Sequence, residues 1–167
     1  MILGMTTATF TLIHVLISLL GIGSGFVVIF FGWLAGKRLA GWTALFLTTT
    51  LLTSVTGFFF PFTRLLPSHK VGIVSLIVLA VAILALYAFH LAGPWRRTYV
   101  ICAAIAEYLN VFVLVVQSFE KVPQLKALAP TQSEPPFLVA QTVVLLFFVA
   151  LTILAAKRFR SDQAETA

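Results

Sequence analysis

Glu107 is the residue of this chain whose position most directly implies chemistry. It lies in the middle of an apolar run, 99–117, that is long enough to cross a lipid bilayer. No other acidic residue is predicted at membrane depth. Because a charged side chain there costs at least about 2.5–3.5 kcal/mol, we expect the Glu107 carboxyl to be protonated, paired or in contact with water.

Two further polar residues share the helical face of Glu107. At about 100° per residue, Glu107, Asn110 and Gln117 lie within about 80° of arc on a predicted helix. A polar stripe from the membrane midplane to one surface is typical of a hydrated half-channel or of a buried hydrogen-bond network. The stripe therefore predicts a candidate proton or ion site, with a purely structural network as the alternative.

A second predicted helix carries hydroxyl groups that could face this stripe. Three of them share one side of the helix: Thr49, Thr53 and Thr56. Thr53 is predicted near the midplane, at the depth of Glu107, so a contact between the two is geometrically possible. The alternative is that these hydroxyls bond to the preceding turn of their own helix, as they often do in membrane helices.

Four glycines form a stripe on the first predicted helix. They fall within about 60° of one another and make two G-x-x-x-G pairs: Gly21, Gly25, Gly32 and Gly36. Small residues let helix backbones approach closely in lipid. The stripe predicts a helix-packing seam, against a helix of this chain or of a second copy.

Histidine side chains raise the question of a haem or another metal. Only His14 and His69 are predicted on the same side of the membrane, which makes them weak haem candidates. The stretch from His69 to Gly72 loosely resembles the helix starts of b-type cytochromes, a family with paired histidines at matched depth on two helices. Such a pair is not evident here, so a haem or a quinone stays an open alternative and no cofactor is indicated.

Enzymatic chemistry by side chains alone has little support. The sequence has one acidic residue in its predicted spans and none of the common phosphate-binding or zinc-binding motifs. Cys102 is the only cysteine, so no intramolecular disulfide is possible. We expect a protein without catalytic residues.

The composition indicates a membrane protein. Of 167 residues, 60% are hydrophobic and only 10% charged, whereas soluble domains are nearer about 45–50% and 25%. The net charge of +6 is divided among the ends of apolar runs and forms no basic face for nucleic acid. The cations are better explained by membrane topology and attraction to anionic lipid.

Five apolar runs are long enough to cross a bilayer. The predicted spans are 8–35, 42–60, 71–92, 99–117 and 137–155. The segment 118–136 contains four prolines and is predicted to be an irregular loop. The fold class is therefore an all-α bundle of five transmembrane helices in one domain, 1–160, followed by a short disordered tail, 161–167.

The orientation follows from the cations. With the N-terminus outside, seven basic residues lie inside: Lys37, Arg38, Arg96, Arg97, Lys157, Arg158 and Arg160. Four lie outside: Arg64, Lys70, Lys121 and Lys126. The positive-inside rule then predicts an N-terminus outside and a C-terminus inside, in an inner or plasma membrane.

These patterns favour a small proton-coupled transport or ion-handling protein centred on Glu107, working as a homo-oligomer or with another membrane protein. An accessory or scaffolding subunit of a membrane complex is the main alternative. A redox protein that binds haem or quinone is the third.

Overall fold

The computed structural model describes residues 1–61 and 67–159, and every described element longer than an isolated bridge is helical. The described elements comprise six α-helices: α1 (Thr7–Val27), α2 (Ala40–Thr56), α3 (Pro67–Ile83), α4 (Trp95–Lys121), α5 (Pro123–Leu128) and α6 (Pro135–Arg158). Short π-helical segments, Val28–Trp33 and Leu84–Ala88, extend α1 and α3. Arg64, Arg160 and the predicted tail, 161–167, lie outside the described residues.

Five of these helical segments are long and apolar enough to cross a membrane. They are Thr7–Trp33, Ala40–Phe59, Ser68–Ala88, Trp95–Lys121 and Pro135–Arg158. The prediction of an all-α bundle with five such helices is confirmed. The support for a multi-pass membrane protein comes from the length and composition of these helices only.

The predicted irregular loop over 118–136 is wrong in part. Helix α4 continues to Lys121, and Pro123–Leu128 forms α5. Pro123 and Pro135 each stand in the first turn of a helix, where a missing N–H group removes no intrahelical hydrogen bond. Proline therefore begins helices in this segment, where it was predicted only to interrupt them.

The third helix ends before residue 92, which was the predicted end of the third span. The helix stops at Ala88, and His90, Leu91 and Gly93 have φ values of 48°, 59° and 52°. Positive φ is incompatible with a continuing right-handed helix. The chain turns within these residues, and α4 begins at Trp95, before the predicted residue 99.

Helices α1, α4 and α6 meet at one end of the bundle through buried aromatic rings. The Trp33 ring lies 5.5 Å from Tyr99 and 6.4 Å from Phe159, between ring centroids. The Arg96 guanidinium donates to the Phe159 carbonyl, which ties the start of α4 to the end of α6. We call this the basic end, because its described turns and helix ends carry Lys37, Arg38, Arg96, Arg97, Lys157 and Arg158.

Other aromatic pairs close the opposite end. Phe10 of α1 lies 5.1 Å from Phe60, which follows α2, and Phe119 of α4 lies 5.4 Å from Phe137 of α6. Consecutive long helices therefore run in alternating directions. Helix α4 packs against α1, α2, α3 and α6 and so occupies the middle of the bundle.

Helix α5 covers a small separate core at the opposite end. Phe119, Ala129 and Phe137 form this core, with Leu125 of α5 packed against it. Gln132 donates to the Val116 carbonyl at 3.0 Å and fastens the following turn to α4. These contacts explain why a segment with four prolines keeps a defined structure.

We expect Phe137→Ala to lower the free energy of unfolding by about 3 kcal/mol, because it removes a buried ring from this core. Leu138→Ala is the matched control, since Leu138 is 53% exposed and its truncation is expected to cost less than about 0.5 kcal/mol. Titration of the purified protein from mild detergent into sodium dodecyl sulfate measures both values. Equal effects of the two substitutions would contradict the described packing.

Candidate functional site

Glu107 lies on α4 and is completely buried, with 0% of its surface exposed. Neither carboxyl oxygen has a hydrogen-bond partner among the described residues. Buried carboxyl groups are normally paired or hydrogen-bonded, because removing them from water without compensation costs several kcal/mol or more. An unpartnered carboxyl in the middle of the bundle is therefore the most unusual chemical feature of the described chain.

Gly25 of α1 lies directly against this carboxyl. A Cβ atom at position 25 would be 2.4 Å from Oε2 and 2.7 Å from Oε1 of Glu107, closer than any such contact can be. A residue with a Cβ atom at this point would force the Glu107 carboxyl or one of the two helices to shift. The Glu107 carboxyl therefore occupies the narrow space between α4 and the backbone of α1.

Asn110, one turn further along α4, makes the polar contact with α2. Its Nδ2 donates to the Thr50 hydroxyl at 3.1 Å, and Thr50 is fully buried. The predicted face of α2, with Thr49, Thr53 and Thr56, is the neighbouring one. Thr50, which was not predicted, is therefore the hydroxyl of α2 that meets Asn110.

The three predicted threonines have other surroundings. The Thr49 hydroxyl donates to the Leu45 carbonyl at 2.7 Å, and the Thr56 hydroxyl donates to the Leu52 carbonyl at 2.7 Å. The Thr53 hydroxyl oxygen is buried without a hydrogen-bond partner in the described residues. Two of the three thus bond to their own preceding turn, as in the alternative interpretation.

Gln117 lies apart from Glu107. Its side chain is exposed and its Nε2 is 3.4 Å from Oε2 of Glu120. Ten residues of helix place it about 15 Å from Glu107 along α4. The polar stripe of α4 is therefore divided between the buried Glu107 with the half-buried Asn110 and the exposed Gln117 at the opposite end.

The glycine stripe packs within this chain. A Cβ atom at Gly21 would lie 3.3 Å from each of the hydroxyl oxygens of Thr49 and Thr50, and Gly25 meets α4. Gly32 lies beside Leu39 in the turn before α2. Gly36 has a φ of 70° and permits the turn that follows α1. Gly21 and Gly25 thus let α1 approach α2 and α4. Gly32 lies beside the turn that leads to α2, and Gly36 lies within that turn.

The two histidines considered for haem occupy different contacts. His14 Nδ1 lies 2.8 Å from the Thr56 hydroxyl, and the His14 ring meets Phe60 edge to face. The buried His69 ring lies 5.5 Å from the Phe58 ring. In the described part of the chain, no group of three or more His, Cys, Asp or Glu side chains could hold a metal ion.

Comparison with known proteins adds no assignment. No family model, curated protein or solved structure matches the chain. The geometry around Glu107 is therefore the main indication of function.

One signal in the sequence could have linked Gly25 to Glu107. On the predicted spans, Gly25 lies about 5 Å from the middle of the first helix and Glu107 lies near the middle of the fourth. A glycine and an acidic residue at similar depth allow a close approach of two helices. Depth alone does not give the rotation of each helix about its axis, and that rotation decides whether Gly25 and Glu107 meet.

We expect Gly25→Ala to lower the free energy of unfolding by about 1–3 kcal/mol, because its methyl group overlaps the Glu107 carboxyl. Gly23→Ala is the matched control on the same helix, since a Cβ at Gly23 meets nothing within 4 Å. Unfolding in sodium dodecyl sulfate measures both. The cost of Gly25→Ala should disappear in a Glu107→Ala background, and a cost that stays unchanged there would contradict the contact.

Proposed function

We propose that this chain is a small multi-pass membrane protein that binds and releases protons at Glu107, in a proton-coupled transport or ion-handling role. The observation that supports this role most directly is the buried carboxyl of Glu107, which lacks a hydrogen-bond partner among the described residues. Isolated ionisable groups at membrane depth are costly, and they commonly belong to proton or ion pathways.

Other side chains already link the helices through hydrogen bonds. His14 joins α1 to α2 through Thr56, and Ser54 of α2 lies 2.9 Å from Ser75 of α3 between hydroxyl oxygens. Asn110 joins α4 to α2. Glu107 adds no such link between described residues, so a purely structural network accounts for the other polar groups better than for Glu107.

The surroundings of Glu107 define how proton exchange would work. An ionised carboxylate there would be buried without a counter-charge, at a cost of several kcal/mol. The proton can leave only when water reaches the carboxyl oxygens and accepts it. Because the backbone at Gly25 lies against those oxygens, α1 must separate from α4, or the Glu107 side chain must rotate, before the site exchanges its proton.

The proposed orientation puts the basic end in the cytoplasm. Six described cations lie at that end, and the opposite end has only Lys70, Lys121 and Lys126 in its described part. The positive-inside rule then places the N-terminus outside.

A proton-flux assay with two glutamate variants tests this proposal. The purified protein is reconstituted in liposomes that contain a pH-sensitive dye, and a pH step is imposed with the membrane potential clamped. We expect flux above that of empty liposomes, and a loss of about tenfold or more in Glu107→Gln, which removes the exchangeable proton.

Glu120→Gln is the control on the same helix, because Glu120 is 48% exposed and its Oε1 lies 3.2 Å from Lys121 Nζ. It should keep the wild-type flux. Folding of each variant is checked by circular dichroism. A folded Glu107→Gln with wild-type flux would refute the role of Glu107. Absence of flux in the wild type, with stoichiometric co-purification of another membrane protein, would favour an accessory subunit.

A further inference from the structure

The basic end carries a feature that proton exchange at Glu107 does not use. An open depression of about 490 Å³ lies where the turn after α3 leads into α4. Its lining residues are Gly93, Pro94, Arg96, Arg97, Thr98 and Ile101. Its lining is mostly apolar, and it brings Arg96, Arg97 and Thr98 together with Ile101 at the start of α4.

The two arginines of the depression are held differently. Arg96 is half-buried and donates to the Phe159 carbonyl, which fixes its side chain between α4 and α6. Arg97 is exposed. A guanidinium carries five N–H donors in a planar fork that matches the oxygens of a phosphate group. One fixed and one adaptable guanidinium beside a cavity form an anion-binding arrangement.

Among the described residues, the charge around the depression is of one sign. The basic end has Lys37, Arg38, Lys157 and Arg158 in addition to the two arginines. Glu107, Glu120 and Glu134 are the acidic residues in the described part of the chain; the first is buried in mid-bundle and the other two lie at the opposite end. The described surface near the depression therefore attracts anions and offers no carboxylate to compete with them.

An apolar track leads away from the depression along α4. Arg97, Ile101 and Ile105 follow one another at intervals of four residues, so they share one face of the helix. Ile101 is 42% and Ile105 37% exposed. A cation at the helix end with exposed apolar residues below it matches a phospholipid, whose charged headgroup lies above its acyl chains.

We infer that this depression binds the headgroup of an anionic phospholipid. Arg96 and Arg97 contact the phosphate oxygens, and an acyl chain lies along Ile101 and Ile105. A soluble phosphate would gain nothing from the apolar track, which is why the surface favours a lipid. Basic pockets beside transmembrane helices commonly bind anionic headgroups. This inference is independent of proton exchange at Glu107.

Native mass spectrometry of the delipidated full-length protein tests the inference. Phosphatidylglycerol and phosphatidylcholine are titrated separately, and inorganic phosphate is then added in excess as a competitor. We expect one tightly bound phosphatidylglycerol, weaker binding of phosphatidylcholine, and no displacement by inorganic phosphate. Arg97→Gln should weaken phosphatidylglycerol binding roughly fivefold, and Arg97→Lys, which keeps the charge but not the planar fork, should weaken it less.

Lys126→Gln is the control for a general loss of positive charge, because Lys126 is an exposed cation of α5 at the opposite end. It should leave phosphatidylglycerol binding unchanged. Equal weakening by Arg97→Gln and Lys126→Gln would mean non-specific attraction and would overturn the site. Equal binding of the two lipids, displacement by inorganic phosphate, or full binding by Arg97→Gln would also overturn it.

Discussion

The Glu107 carboxyl lies against the backbone of α1 at Gly25, and this contact limits how α1 and α4 can pack. A buried carboxyl without a partner is costly, and it is accommodated because a glycine lets α1 approach α4. The neighbouring Gly21 lets the same helix approach α2 at Thr49 and Thr50. The positions of α1, α2 and α4 are therefore linked through two glycines four residues apart.

The helix contacts around Glu107 differ in whether hydrogen bonds or packing alone stabilise them. Hydrogen bonds join α2 to α1 through His14, to α3 through Ser54 and to α4 through Asn110. At Gly25 the contact between α1 and α4 depends on packing alone. In lipid, packing has no added hydrophobic force behind it. The region beside Glu107 is thus where separation of α1 from α4 breaks the fewest described hydrogen bonds.

The sequence predicted the features that depend on length and composition. Five helices follow from five apolar runs, and the burial of Glu107 follows from its place inside one of them. Helix rotation was harder, because a helix that faces both lipid and protein is apolar all round and its buried side leaves a weak pattern. This is why Thr49 was selected and Thr50, about 100° further round, makes the contact.

The positions of the helix ends also depend on contacts beyond the local sequence. Pro123 and Pro135 mark helix starts that composition alone could not separate from an irregular loop. The tilt and register of α1 against α4 decide that Gly25 meets Glu107. These depend on the packing of all the helices together, so the glycine stripe indicated close packing without identifying its partner.

Infrared difference spectroscopy of the Glu107 carboxyl tests the central claim most directly. The protein in lipid at neutral pH is transferred from H₂O to D₂O, and the protonated-carboxyl band is compared with that of Glu107→Gln. We expect a band that is absent in the variant and shifts on transfer, because the buried carboxyl holds a proton that exchanges with the solvent. Absence of any Glu107-dependent band, or a band that shifts only when the protein unfolds, would contradict it.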